Sequence, residues 1–378
     1  MNPLFQPLTS SRPQQQGLAD WFGRLHLDLW LMMLLASVSA LGLIVLYSAS
    51  GHSMPTVMNQ SERLLLGLGV MAAAAQATPE MYRAIAPWFY SMATVLLILT
   101  LLLGDHAKGA QRWLDFGVVR FQPAEFMKLA MPLCVASFLH GRPLPPNVST
   151  IAITLALIGL PTVLIAVQPD LGTALLIVAA GGFALYFGGL GYRWILGALA
   201  AIGAALPVLW TRLHDYQRQR VLTFLDPETD PLGTGYHITQ SKIAIGSGGL
   251  FGKGWLNGTQ AKLDFLPESH TDFIFAVYSE ELGLMGVLFL IGLYLAIVGR
   301  CLYIAVRAQD TFQRLLAGAL GMTFFIYIFI NMGMVIGLLP VVGVPLPLVS
   351  YGGTSTVSLL AGFGMLMSIQ THRKLLAS

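Results

Sequence analysis

Nine long apolar stretches, near 29–49, 87–103, 123–140, 150–167, 171–189, 194–210, 273–299, 315–337 and 353–370, constrain this chain more than any other feature. A helix crosses a bilayer with about 20 mostly apolar residues, because in hydrocarbon it must satisfy its own backbone hydrogen bonds. A weaker stretch at about 63–79, with Gln76 inside it, brings the expected count to ten. Composition agrees: 55% of the 378 residues are hydrophobic and only 10% are charged, against about 25% charged in soluble domains. That is too little charge to coat a water-soluble body of this size. The expected fold class is therefore all-α, a polytopic membrane protein with about ten transmembrane helices.

An even number of spans puts both ends on one side. Arg12, Arg24, Arg83, Arg142, Arg193, Arg300, Arg307, Arg314, Arg373 and Lys374 then share that side. Basic residues flanking spans favour the cytoplasm, so both termini are expected there. Lys108, Arg112 and Arg120 fall on the opposite face and work against this orientation without reversing it. Residues 1–28 are polar, rich in Pro and Gln and carry no signal-peptide pattern; they read as a cytoplasmic N-terminal tail, with 29–378 as a single ten-span domain. The net charge of +3 gives no sign of a nucleic-acid partner, and Cys134 and Cys301 lie inside apolar runs, which is no disulfide framework. No internal repeat is evident, which counts against inverted-repeat transporters.

Two loops on the external side carry most of the remaining chemistry. One, about 104–122, holds Lys108, Arg112, Trp113, Asp115 and Arg120; the other, about 211–272, precedes the eighth span and is the longest in the chain. Long loops in compact membrane proteins are usually functional or disordered, and the aromatics and glycines of this one argue against disorder. It ends in Leu266-Pro-Glu-Ser-His-Thr-Asp-Phe273, which places Asp272 at or near the first turn of a long apolar helix. On the residues alone, Asp272 or Thr271 as a helix cap is the ordinary reading. The functional reading is a carboxylate at the membrane surface that takes a proton from a sugar hydroxyl. Glu268, His270 and Asp272 could also hold a divalent cation, but their spacing matches no strong ligand pattern and no metal ligands are assigned.

The glycines between Ile245 and Gly254 could turn backbone N–H groups inward as an anion nest, although tight turns account for them equally simply. Nucleotide-loop and dinucleotide patterns fail at Ser247, Phe251 and Gly254. With Arg218, Arg220, Lys242, Lys253 and Lys262 nearby, the loop could bind a diphosphate. In Phe121-Gln-Pro-Ala-Glu-Phe-Met-Lys128, Pro123 suits a first helical position, and Glu125 and Lys128 are three apart on one face, close enough to pair. Ionisable groups below the membrane surface cost a few kcal/mol each on insertion scales, so this pair is either a packing device or a binding group. Glu280 and Glu281 pose the same choice. Asp170, in Gln168-Pro-Asp-Leu-Gly-Thr173, reads chiefly as a helix cap.

Together these segments resemble the RodA/FtsW family of shape, elongation, division and sporulation proteins. The most specific is 331–355, Asn-Met-Gly-Met-Val-Ile-Gly-Leu-Leu-Pro-Val-Val-Gly-Val-Pro-Leu-Pro-Leu-Val-Ser-Tyr-Gly-Gly-Thr-Ser. The three shorter motifs quoted above look like family motifs in their usual order. The resemblance runs from about residue 29 to the C-terminus, with Ala124 a small departure, and His26-Leu-Asp28 and Leu46-Tyr-Ser-Ala-Ser-Gly51 look more like RodA than FtsW.

That resemblance implies a ten-span glycosyltransferase of the bacterial inner membrane that polymerises lipid II into β-1,4 glycan during elongation, with inversion and release of undecaprenyl diphosphate. It maps the family's essential carboxylate onto Asp272 and its buried pair onto Glu125 and Lys128. It implies a class B penicillin-binding protein as partner. Arg112, Arg218, Arg220 and Lys242 are the candidate ligands for the leaving diphosphate, by loop position, with a divalent cation as a possible companion. A lipid-precursor flippase and a non-catalytic scaffold for the penicillin-binding protein are the rival expectations.

Overall fold

The computed structural model describes residues 25–107, 110–115, 120–212, 218, 222, 223, 226, 233–262, 265, 266 and 268–372. Its long helices are α1 (Leu29–Ala49), α2 (Met54–Gln76), α3 (Pro79–Leu103), α4 (Pro123–His140), α5 (Val148–Val167), α6 (Leu171–Phe187), α7 (Tyr192–Arg212), α8 (Thr234–Gly248), α10 (Ile274–Val306), α11 (Thr311–Ile336) and α12 (Thr354–Thr371), with α9 a single turn (Thr259–Lys262). Among the described residues, α1, α3, α5, α10 and α11 are long and apolar enough to cross a membrane. The chain is a polytopic membrane protein.

Local chemistry sets the helix starts. The side chains of Asp28, Ser53, Thr78, Asn147 and Asp170 each accept a backbone N–H from the first turn of the helix that follows, satisfying a donor the helix cannot satisfy itself. Ser53 and Thr78, each followed by Pro in the first turn, start α2 and α3 at residues 54 and 79, earlier than the 63 and 87 expected from hydropathy. Those added turns are polar or interrupted by Pro87, so an apolar count misses them while the caps mark them.

The all-α expectation needs one correction. Part of the loop before α4 forms a three-stranded antiparallel sheet, β1 (Asp105–Ala107), β2 (Ala110–Asp115) and β3 (Arg120–Phe121), in the order β1-β2-β3. In a connection between helices the backbone can pair strand to strand outside hydrocarbon, where a helix is not obligatory. One contiguous hydrophobic core runs from Leu31 in α1 to Ile369 in α12. Within it α12 lies along α2 so closely that a Cβ on Gly364 would collide with the Met71 carbonyl.

Helix α10 is broken. Gly283 takes φ 64° and ψ −166°, outside the helical region and essentially open only to glycine. The segment after α8 fills the break: Lys253 N donates to Glu280 O (3.0 Å), Gly254 N to Glu281 O (2.9 Å), Leu284 N to Gly249 O (3.0 Å) and Met285 N to Leu250 O (3.1 Å). A backbone interruption at this depth is tolerated because protein covers it and satisfies its polar groups. A side chain on Gly252 would strike the Glu281 carbonyl. Gly248 and Gly252 therefore serve close backbone docking against α10.

Candidate active site

Where the first turns of α4, α6 and α12 meet Tyr327 of α11 lies a cavity of about 260 Å³, walled by Arg112, Glu125, Lys128, Asp170, Tyr327 and residues 343–345 and 352–355. Pro123 opens α4, so Glu125 and Lys128 fall in its first two turns on one face. Lys128 Nζ lies 2.7 Å from Glu125 Oε1 and also donates to the Tyr327 hydroxyl, while Ser358 Oγ donates to Glu125 Oε2 at 2.8 Å. Both charged side chains are less than a tenth exposed. An ion pair so buried is favourable only where further hydrogen bonds complete it, and Tyr327 and Ser358 supply them.

Asp170 does more than cap α6. Its Oδ1 accepts from Thr173 N (3.2 Å), its Oδ2 accepts from Gln122 Nε2 (3.1 Å), and Arg112 Nε stands 3.9 Å from that second oxygen. Arg112 also donates to the carbonyls of Gln168 and Pro169. The strand β2 therefore carries its guanidinium to the start of α6, on the cavity wall. Its cap motif had hidden Asp170 as a wall residue, and neither Tyr327 nor Ser358 carries any local sign of its role.

Asp272 is not a helix cap. The N-cap of α10 is Phe273, with no side-chain capping bond, and the helix begins at Ile274. The turn 268–273 is held instead by α11 and the segment between α11 and α12. Asn331 Nδ2 donates to the carbonyls of Asp272 (3.0 Å) and Val344 (2.7 Å), Ser350 Oγ donates to Thr271 O (2.6 Å), and Tyr351 N donates to His270 O (2.9 Å). This stitching brings the carboxylate against Gly343, where an added Cβ would lie 3.6 Å from Asp272 Oδ2. Gly343 belongs to the cavity wall. A half-buried carboxylate thus stands at the rim of a polar cavity that holds an arginine and a lysine.

Other candidates lie elsewhere. Arg218 donates to Trp210 O (3.0 Å) and Thr211 O (2.8 Å), capping the carbonyl end of α7. Lys242 is exposed, lies over Gly337 at the end of α11, and is not part of the cavity wall. Arg220 lies outside the described residues. Glu280 is fully buried and engaged: its Oε1 meets Lys253 Nζ (2.6 Å), Thr259 N (2.9 Å) and Thr259 Oγ1 (2.8 Å), and its Oε2 accepts from Gln260 N (3.2 Å). Glu281 accepts from Ser48. No group of three or more His, Cys, Asp or Glu converges into a metal-holding cluster among the described residues.

Known proteins resemble this chain over nearly its full length. The family described as cell cycle protein, grouping FtsW, RodA and SpoVE, matches residues 28–375. The peptidoglycan glycosyltransferase MrdB of Escherichia coli (strain K12) is 52% identical over 358 residues, covering 94% of this chain and 97% of MrdB. The probable peptidoglycan glycosyltransferase FtsW of Idiomarina loihiensis is 34% identical over 98% of this chain and 94% of its own length. Among solved structures, a chain described under structural coordination of polymerization and crosslinking by a peptidoglycan synthase complex superimposes with a TM-score of 0.81 at 31% identity, covering 92% of this chain and 99% of that one. The rod shape determining protein RodA of Thermus thermophilus does so with a TM-score of 0.70 at 29% identity, over 92% and 98%.

Proposed function

Since the chain belongs to the FtsW/RodA/SpoVE family of cell cycle proteins, we propose that it is a peptidoglycan glycosyltransferase of cell elongation, polymerising lipid II at the outer face of the bacterial inner membrane. One observation carries the chemistry: the Asp272 carboxylate stands beside Gly343 at the rim of the cavity that holds Arg112 and Lys128.

The growing glycan, still on its undecaprenyl diphosphate, is the donor, and the next lipid II is the acceptor. Asp272 takes the proton of the acceptor 4-hydroxyl as that oxygen attacks the anomeric carbon of the donor. The new C–O bond forms as the bond to the diphosphate breaks, on the opposite face, so an α-linked diphosphate becomes a β-1,4 linkage. Glycosidases need an acid to protonate the leaving oxygen. Here the leaving group departs as an anion and requires cations, which stabilise developing charge best from fixed positions in a site that excludes water. Arg112, held by Asp170 and two carbonyls, and Lys128, held by Glu125 and Tyr327, are such cations. A divalent cation shared with the diphosphate needs only one or two protein carboxylates, and Asp170 stands where it could be one. Arg218 and Lys242 are assigned no part.

On this reading ten helices cross the membrane, α1 to α7 and α10 to α12, with both termini cytoplasmic and Asp272 outside. A class B penicillin-binding protein is the partner that cross-links the product. The test is purified protein with labelled lipid II. Asp272→Asn abolishing glycan chains while the folded yield holds supports the base assignment, and unchanged glycan length ends it. Translocation of lipid II in liposomes without any polymer would instead indicate a flippase.

A further inference from the structure

On the reading given above, two lipid-linked diphosphates meet at Asp272 in each cycle. Arg112 and Lys128 both belong to the β2, α4 and α6 side of the cavity. On the other side α2 presents Arg63. Its guanidinium carbon lies 4.4 Å from the centroid of the Tyr351 ring, and a Cβ on Gly353 would lie 3.6 Å from its Nε. Gly352 and Gly353 form part of the cavity wall, so Arg63 stands at the cavity's α2 edge. Gln60, one turn earlier and buried, clamps α2 there: its Nε2 donates to Ser350 O (3.4 Å) and its Oε1 accepts from Gly352 N (3.2 Å). Tyr351 connects Arg63 to the turn bearing Asp272, through the backbone bond to His270 and a ring contact with it at 6.1 Å.

Arg63 differs from the other buried or half-buried cations around the helices; Arg142, Arg193, Lys242, Arg307 and Arg314 are exposed to solvent. Arg112 faces Asp170, Lys128 pairs with Glu125, Lys253 with Glu280, Arg300 with Asp28, and Arg83 with Asp310. Among the described residues, Arg63 makes the contact with Tyr351 and no ion pair or hydrogen bond. Stacking on an aromatic face occupies the plane of a guanidinium and leaves its N–H edge free to bind two oxygens of a phosphate or carboxylate. A half-buried arginine with idle donors is costly in a membrane protein unless something pairs with it.

We infer that Arg63 binds the diphosphate of the second lipid-linked substrate, across Asp272 from the one held by Arg112 and Lys128. The enzyme then grips donor and acceptor by the same chemical group on two sides of one base. This fits a polymerase whose two substrates share a lipid-diphosphate anchor.

The experiment compares wild type, Arg63→Leu and Arg63→Lys in vesicles, reading steady-state polymerisation of labelled lipid II together with thermal unfolding. Leucine keeps an apolar stem over Tyr351 and removes the charge; lysine keeps the charge without the fork. Loss of a charge-assisted contact predicts an apparent KM about tenfold higher or more for Arg63→Leu, with kcat within about twofold, an unchanged unfolding temperature, and part of the KM regained by Arg63→Lys. The shift should be the same in vesicles of phosphatidylcholine alone and in vesicles containing phosphatidylglycerol. An unchanged KM overturns the assignment. So does a lowered unfolding temperature in place of the KM effect, which makes Arg63 a packing residue on Tyr351. A shift seen only with phosphatidylglycerol overturns it too, because the anion is then a bulk lipid headgroup. If wild-type protein makes no glycan at all, the glycosyltransferase reading itself fails, an outcome separate from the fate of Arg63.

Discussion

Two buried glutamates, Glu125 and Glu280, occupy opposite situations in the same molecule. Each is paired with a lysine, at 2.7 Å for Lys128 and 2.6 Å for Lys253. Around Glu280 the partners come from the end of α8 (Ser247) and from the segment between α8 and α10 (Lys253, Thr259, Gln260), and the side chain is fully excluded from solvent. Around the Glu125–Lys128 pair, Tyr327 of α11 accepts from Lys128 and Ser358 of α12 donates to Glu125, and one flank of the pair opens on a 260 Å³ cavity. The first arrangement closes a loop onto a broken helix. The second leaves room beside fixed charge for something else. Pairing alone does not distinguish structure from function; the free volume beside the pair does.

The largest effect that bears on this contrast is expected at the cavity rim. A positioned general base contributes roughly 10²–10⁴-fold, so Asp272→Asn should lower glycan synthesis by that range. Its backbone, not its carboxylate, is what Asn331 holds, so the unfolding temperature should stay where it is. An equal fall in activity and stability would mean that the cavity and the loop latch are one cooperative unit, and the contrast drawn above would collapse.

Glu280→Ala comes next and should show the reverse pattern. Removing one partner of a buried ion pair costs roughly 3–5 kcal/mol, toward the lower end here because Lys253 is 28% exposed. The expected outcome is a marked loss of folded yield and unfolding temperature, with the surviving protein still polymerising. Proteolysis of the segment between α8 and α10 should accelerate, since Glu280 holds Thr259 and Gln260 by their backbone N–H groups. Normal stability with lost activity would move Glu280 into the site.

Both acids look alike in the sequence, each a carboxylate in an apolar helix, and this marks the limit of what could be read there. Apolar stretches located the long helices because each must solve its hydrogen bonding within its own residues. The spacing of Glu125 and Lys128 disclosed their pairing, since helix geometry is local. Tyr327, which joins that pair from 199 positions away, has no local signature. Arg63 and Gln60 were obscured for a related reason: they make the first turns of α2 polar, so the hydropathy of that segment is weak where its contact with Ser350 and Gly352 begins. The break at Gly283 is equally silent, because a glycine in an apolar run costs little to overlook until another backbone is found docked against it.

Glu125→Ala should act at a smaller scale than either change above. Lys128 would lose its partner, but it borders the cavity, where water can reach the ammonium and limit the penalty. Folded yield should therefore hold while polymerisation falls about tenfold, the order expected when one charge-assisted contact to substrate is misplaced. Purified yield and activity per mole of folded protein separate the two. A collapse in yield matching that of Glu280→Ala would make the pair a packing device after all.

The smallest effect is expected at Arg218, which sharpens the same comparison among cations. Arg112 and Arg218 both sit in loop regions of an otherwise apolar chain, and both donate to backbone carbonyls. Arg112 does so from the cavity wall with Asp170 beside it, whereas Arg218 binds Trp210 O and Thr211 O at the end of α7. Positive charge at a helix C-terminus contributes about 0.3–1 kcal/mol when exposed. Arg218→Ala should accordingly lower the unfolding temperature slightly and leave the KM for lipid II within about twofold, while Arg112→Ala raises it about tenfold. A tenfold rise at Arg218 as well would mean that the segment after α7 reaches the diphosphate during turnover. Position in a loop would then have been a better guide to function than the hydrogen bonds of the resting protein.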